Sequence, residues 1–254
     1  MKSDVVFATF LMEVRNDPNI LGLVLLGSRG KGFYKEYSDY DFQLIVKDET
    51  IDKYKEKMEE MNKHDDFDCS ALTINEFEKY AEWGSEFAWA RYSYSNVKAL
   101  VDKTDGKIQN IINEKGKIPV KHLKQFIEGT LDAYINTVYR SMKAFRDENN
   151  LAYRLQAAES IDLLLYVLFA LHGGRIKPYS KYLESDLEKY PFTKIPWSSK
   201  QFLKMLLEIL DTGNYKTQQN IMIGIERLCR SEGYDHIFDS WEGDEKWTMS
   251  YQHK

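Results

Sequence analysis

The chain has 254 residues, 43% hydrophobic and 30% charged, and its 40 acidic residues outnumber 35 Lys and Arg to give a formal net charge of −5. That composition fits an ordinary globular protein long enough for one large domain or two modest ones. The acidic balance argues against a dedicated nucleic-acid binder, and five prolines and fourteen glycines are too few for a disordered or fibrous chain.

From the N-terminus, MKSDVVFATFLMEVRND carries one Lys followed at once by Asp4, a poor signal peptide but a fair amphipathic helix over 4–16. Asp17-Pro18-Asn19 reads as a turn, Ile20–Leu26 as a short strand ending at Gly27, and Asp39–Val46 as a second strand. Residues 50–63 place Ile51, Tyr54, Met58 and Met61 at helical spacing. Phe67–Thr73 follows as a third strand, and either Thr73 or Asn75 caps the helix expected in NEFEKYAEWG. Val97–Asp102 fits a fourth strand or a buried segment.

After Lys115-Gly116-Lys117-Ile118-Pro119 the character changes, and 120–148, 151–171 and 199–211 show helical periodicity. The chain is therefore expected to divide into an α/β domain over 1–118 and a helical domain over 119–254. The final GDEKWTMSYQHK reads as a polar tail, with Trp247 as a candidate anchor. The longest strongly apolar run, Leu163–Leu171, is far below the roughly 20 residues needed to cross a bilayer. Cys69 and Cys229 are the only cysteines, with neither a disulfide framework nor Cys-x-x-Cys spacing. A reducing, cytoplasmic setting and no membrane partner are expected.

The chemistry concentrates in LLGSRGKGFYKEYSDYDFQLIV, residues 25–46. Side chains alternate along a strand, so Asp39 and Asp41 share a face with Cα atoms roughly 7 Å apart. At that separation they repel by roughly 2 kcal/mol for an effective dielectric near 20. A divalent cation would turn the repulsion into a binding site, since Mg²⁺ takes a few carboxylate oxygens together with waters and substrate phosphates. Alone, an Asp-x-Asp pair more often means a turn residue and a solvent-facing edge position.

The residues upstream shift that balance. Gly27-Ser28 ends an apolar strand, where glycine permits positive φ and close approach of a backbone N–H to a phosphate. Ser28 adds a hydroxyl and Arg29 a charged fork, while Gly30 and Gly32 are expected to keep the loop flexible. Phe33-Tyr34 stands where a Walker loop needs Lys-Ser/Thr, and Lys35 stands where a dinucleotide fingerprint needs its third glycine.

Gly27-Ser28, a loop, and then Ser38-Asp39-Tyr40-Asp41-Phe42 entering a hydrophobic strand resemble the signature of the DNA polymerase β-type nucleotidyltransferase superfamily. The resemblance implies an α+β fold, a small mixed-sheet domain followed by a helical bundle. It implies that Gly27, Ser28, Arg29 and Ser38 border the triphosphate of a nucleoside triphosphate, with ATP as the family's usual choice. It further implies that Asp39 and Asp41 hold magnesium, two ions in all. The superfamily's third metal carboxylate lies on a later strand after an apolar residue, which is Asp68 here; Asp66 shares its face as the alternative.

The helical half, with LDAYINTVYRSMKAFRDEN and AAESIDLLLYVLFALHGGRIKPYSKYLESDLEKYPF, resembles bacterial small nucleotidyltransferases related to aminoglycoside-modifying enzymes. Arg140 and Lys143, three apart, share a helix face; Lys143 is a candidate partner for nucleotide phosphates, or part of a solvated basic face. Glu159 precedes the apolar run SIDLLLYVLFAL, so it needs either a partner or a purpose. The related antibiotic-modifying enzymes use such a carboxylate as general base toward the acceptor hydroxyl, and an ion pair with Arg154 or Arg140 is the structural alternative. Lys181 and Tyr182, in the basic stretch Arg175–Tyr182, read as candidate ligand contacts or as core packing. The histidines lack metal-ligand spacing, and His172 reads as a helix C-terminal residue.

The expected activity is Mg²⁺-dependent transfer of a nucleoside monophosphate to an acceptor hydroxyl, with release of pyrophosphate. An aminoglycoside-like antibiotic leads as acceptor, which would make the protein a resistance enzyme. The alternative is a nucleotidyltransferase-like regulator or toxin–antitoxin partner acting on a protein. Expected partners are a nucleoside triphosphate and a small-molecule acceptor rather than nucleic acid, with oligomer formation left open.

Overall fold

A computed structural model describes residues 2–252. The chain forms two compact units, Met1–Pro119 and Val120–Lys254, and the fold is a small mixed sheet with helices followed by a helical part.

In the first unit β1 (Ile20–Leu25), β2 (Tyr40–Val46), β3 (Phe67–Thr73) and β4 (Ala99–Asp102) form one sheet in the order β3-β2-β1-β4. β1 runs antiparallel to β2 and β4, whereas β2 and β3 are parallel. A parallel pair needs a crossover, and α3 (Ile51–Met61) supplies it. The other helices of this unit are α1 (Lys2–Asn16), α2 (Gly27–Lys31), α4 (Ile74–Lys79) and α5 (Lys107–Lys115).

Strand alternation divides the core into two faces. Tyr40, Phe42, Leu44, Phe67, Cys69 and Ala71 pack against Phe7, Phe10 and Val14 of α1 and Tyr54 and Met58 of α3. On the other face Val24 and Ile45 meet Phe77 of α4, Tyr94, and Ile108 and Ile112 of α5. Each Val, Leu, Ile, Phe or Met among them contributes roughly 1.5–3 kcal/mol on burial. Thr73 caps α4 through a reciprocal capping box with Glu76, which decides between Thr73 and Asn75. Val97 is buried but precedes β4.

Buried cations organise the stretch between α4 and β4. Lys31 Nζ donates to the carbonyls of Tyr92 and Ser95, each at 2.7 Å. Arg91 donates to the carbonyls of Ala81 at 2.9 Å, Glu114 at 2.7 Å and Lys117 at 2.8 Å. Lys115 Nζ donates to the carbonyls of Glu78, at 2.9 Å, and Tyr80. Burial pushes the Lys115 ammonium down to about 8 and also lowers Arg91. These bonds tie the 3₁₀ stretch Ala88–Tyr94 and its flanks to α2 and to the ends of α4 and α5.

The second unit begins with α6 (Val120–Arg146) and α7 (Asn150–Leu171), packed along their lengths and joined by a turn capped by Asn149. It continues with α8 (Leu183–Lys189), α9 (Ser199–Thr212), α10 (Tyr215–Ser231), α11 (Asp235–Asp239) and α12 (Asp244–Ser250). His172 caps the C-terminus of α7, as its position suggested. Its Nδ1 lies 2.7 Å from the Leu168 carbonyl, and its Nε2 accepts from the backbone N–H groups of Thr193 and Lys194, each at 3.1 Å. Arg175 pairs with Asp186 and donates to the Tyr190 carbonyl at 2.9 Å, so the basic, aromatic stretch serves packing at that end. Tyr182 is buried, and the exposed Lys181 ammonium lies 4.8 Å over its ring.

The expected polar tail is instead largely helical. Trp247 of α12 meets Tyr139 edge-on at 5.7 Å, Thr248 is buried, and Gln219 Nε2 donates to the carbonyls of Thr248 and Tyr251 at 2.9 and 2.8 Å. Its inward face is aromatic and hydroxyl-bearing rather than aliphatic, which hides it from a hydropathy reading. The last two residues of that stretch, His253 and Lys254, lie outside the described residues. Among the described residues no helix is long and apolar enough to cross a membrane, and both cysteines are free and buried.

Candidate nucleotide and metal site

The turn after β1 is built around Asp41. Leu26 N–H donates to the Asp41 carbonyl at 2.7 Å, fastening the turn to β2. Gly27 adopts φ +54°, and a Cβ there would stand 1.7 Å from Asp41 Oδ2. Glycine is thus required twice, by the backbone and by the carboxylate lying against its Cα. Ser28 is buried, and its carbonyl accepts from Phe33 N–H at 2.8 Å. The loop expected to be flexible is helical at this point: Gly30 lies within α2, where a Cβ would come 2.1 Å from the Leu25 carbonyl. Gly30 allows close packing of helix on strand.

Asp41 and Asp68 are register partners on the parallel strands β2 and β3, so they share a face with main chains about 4.8 Å apart. Asp41 is half-buried and Asp68 exposed. Gln43 follows Asp41 on that face and accepts from the Tyr94 hydroxyl at 2.6 Å. Burial, and next the Asp68 charge, raise the Tyr80 phenol. A row of aromatic groups therefore borders the carboxylates: Tyr80 meets Tyr94 edge-on at 6.5 Å and stacks with Phe87 at 5.8 Å.

Asp39 is the third candidate. It is exposed and lies one residue before β2. Asp66, the alternative to Asp68, is exposed and uses its carbonyl to accept from Tyr40 N–H at 2.8 Å, extending the ladder. Among the described residues no group of three or more His, Cys, Asp or Glu side chains stands together as a metal cage. Asp39, Asp41 and Asp68 thus do not close into such a cluster. An all-oxygen pair suits a hard cation that keeps waters and takes substrate phosphates as further ligands.

With this geometry in view, residues 9–122 match the family model described as "Nucleotidyltransferase domain". The N-terminal unit is a nucleotidyltransferase domain of the polymerase β type. Such a domain belongs to enzymes that move a nucleoside monophosphate from a nucleoside triphosphate. No curated protein matches the chain. Among solved structures it is similar to a nucleotidyltransferase-like protein from Exiguobacterium sibiricum, at 9% identity and a TM-score of 0.39, over 95% of this chain and 76% of that one.

Within the nucleotidyltransferase domain, Arg29 is not the open phosphate fork that the sequence suggested. Its side chain is 11% exposed and pairs with Asp4 of α1 at 3.3 Å. Nε donates to the carbonyls of Ser38 and Asp39, at 3.0 and 3.1 Å, and the guanidinium lies 3.9 Å from the centre of the Tyr40 ring. Tyr40 in turn donates its hydroxyl to Asp4 at 2.7 Å. Burial pushes the Tyr40 phenol up to about 12, while the bond from Tyr40 holds Asp4 below the usual carboxylate range. Ser38 Oγ accepts from Lys35 N–H at 2.9 Å and closes a turn in the loop. Asp4 carried no sequence signal beyond its place in a helix, because its partners are remote in the chain.

The two remaining candidates belong to the helical unit. Lys143, in the last turn of α6, is half-buried with its ammonium 5.1 Å over the Tyr139 ring. Glu159 lies on the exposed side of α7 and accepts from Gln156 Nε2 at 3.1 Å. α7 turns Ser160, Ile161, Leu164 and Leu165 inward instead, and Gln156 is the partner Glu159 finds. Arg154 donates to the carbonyls of Leu210, at 3.3 Å, and Asp211 rather than pairing with Glu159.

Proposed function

We propose that the nucleotidyltransferase domain binds a nucleoside triphosphate with Mg²⁺ at the Gly27 turn and the Asp41–Asp68 face. On this reading an acceptor hydroxyl attacks the α-phosphorus. The new O–P bond forms as the bond to the bridging oxygen breaks, pyrophosphate leaves, and the hydroxyl proton passes to a base. The observation that supports this most is the contact of Gly27 with the Asp41 carboxylate while Asp41 stands in register with Asp68. It brings a turn able to approach phosphates and a pair of oxygen ligands to one end of the sheet.

Asp41 and Asp68 would hold the cation, with Asp39 joining from the end of the loop once phosphates are bound. Bound there, Mg²⁺ would neutralise phosphate charge and orient the displacement. Gly27, Ser28 and the Ser38 segment would border the triphosphate. ATP is the proposed nucleotide and an aminoglycoside-like polycation the proposed acceptor; a net charge of −5 suits such a cation. The proposed setting is the cytoplasm.

A second reading is a nucleotide-binding regulator that holds Mg²⁺–ATP without turnover. Pyrophosphate release from ATP and Mg²⁺, measured against aminoglycosides, lincosamides and purified proteins, separates the two. Release with one acceptor and none from Asp41→Asn supports the enzyme. Tight ATP binding with no release for any acceptor supports the regulator.

A further inference from the structure

The segment that delivers Asp39 has few anchors of its own. Residues 34–37 are exposed, and Asp39 precedes the first residue of β2. What fixes its main chain is a side chain from the turn that the proposed triphosphate would touch. Arg29 Nε is shared between the carbonyls of Ser38 and Asp39. Its Nη1 pairs with Asp4, and its flat face lies over Tyr40, the residue between the two candidate metal ligands. Asp4 closes the ring by accepting from the Tyr40 hydroxyl, and Phe7, one turn along α1, stacks on Tyr40 at 4.3 Å.

We propose that Arg29 is a positioning residue: with Asp4 and Tyr40 it forms a latch that holds the Asp39 main chain against the Gly27–Ser28 turn. The latch joins α1, α2 and the start of β2, so a helix with no part in the chemistry helps set where Asp39 stands. A guanidinium so enclosed would have to leave Asp4 and both carbonyls before it could serve a phosphate. Planarity matters, since the fork spans two carbonyls and a carboxylate while stacking on a ring; lysine could keep only part of this.

The kinetic consequence rests on the proposed function, and the structural one does not. In full-length Arg29→Ala, amide exchange at Tyr40 and in the preceding loop is expected to quicken by about tenfold, with Leu23 and Ala71 unchanged. Mn²⁺ affinity, titrated in the presence of ATP, is expected to fall. With a working acceptor, kcat should drop by about tenfold while KM for ATP stays within about threefold, and Arg29→Lys should fall between the two proteins. Asp4→Asn should shift each quantity the same way by less, and it carries the comparison if Arg29→Ala does not fold. Unchanged exchange in Arg29→Ala, or a KM rise with kcat kept, overturns the latch and returns Arg29 to the phosphates. Wild-type protein that binds no Mn²⁺ even with ATP overturns the proposed function, and the exchange comparison then decides the latch alone.

Discussion

Asp41 places a carboxylate oxygen where the side chain of residue 27 would begin, 1.7 Å from a Cβ built on Gly27. The glycine of the turn and the second aspartate of the Asp-x-Asp pair are thus one packing unit, although fourteen positions separate them. Gly27→Ala must therefore move Asp41, leave its own φ of +54°, or both. The backbone cost alone is about 1–2 kcal/mol. A displacement of about 1 Å at such a site costs transfer on the order of 10²-fold. Steady-state pyrophosphate release, with circular dichroism to establish folding, checks this; an alanine variant with normal turnover would break the link between turn and carboxylate.

Asp68 stands beside Asp41 in a parallel pair, and like charges on register partners repel. Asp68→Asn should therefore raise the melting temperature in EDTA by a few degrees while abolishing transfer. Opposite signs for stability and activity are what distinguish a ligand-holding carboxylate from a structural one. A fall in melting temperature would assign Asp68 to the fold instead.

His172 is half-buried as an acceptor for two backbone N–H groups, and desolvation, as the leading cause, holds its pKa below the ordinary 6.5. Above pH 6.5 neither the folded nor the unfolded state is protonated at this ring, so its stabilisation is fully present. As pH falls below 6.5 the unfolded chain takes up the proton first, and stability declines by at most about 1.4 kcal/mol per pH unit. Wild type should lose thermal stability between pH 6.5 and 5 more steeply than His172→Gln. Parallel melting curves for the two proteins over that range would sink the assignment.

Thr73 gives the smallest of these effects. Its hydroxyl accepts from Glu76 N–H at 3.2 Å, and Glu76 answers to Thr73 N–H at 2.8 Å. Thr73→Ala should cost about 1 kcal/mol, read as a lower denaturant midpoint with unchanged slope. Asn75→Ala should have almost no effect, since Asn75 lies inside α4 rather than at its cap.

Much of the first unit was legible because its signals are local. A short apolar run marked Ile20–Leu26, Phe67–Thr73 read as a strand, helical spacing marked residues 50–63, and the Gly-Ser and Asp-x-Asp elements stood out through glycine's permissiveness and the cost of paired like charges. Glu159 beside an apolar run called for a partner or a purpose, and the helix turns it outward to meet Gln156. Local pattern also misled. GDEKWTMSYQHK looked like a tail because its packing face is made of Trp247, Thr248 and Tyr251.

By itself, then, the sequence determined the first three strands, the helices α1, α3, α6, α7 and α9, and which residues are chemically suited to phosphate and metal, since those properties depend on near neighbours in the chain. Tertiary structure alone decided that β3 lies parallel to β2 with Asp68 beside Asp41, while Asp39 stays outside the strand. It also decided that Arg29 spends its charge on Asp4 and two carbonyls, and that Lys31, Arg91 and Lys115 hold buried backbone. A long cationic side chain carries no mark of its destination: whether it meets a ligand, a carboxylate or a carbonyl is fixed by which groups folding leaves unpaired within its reach.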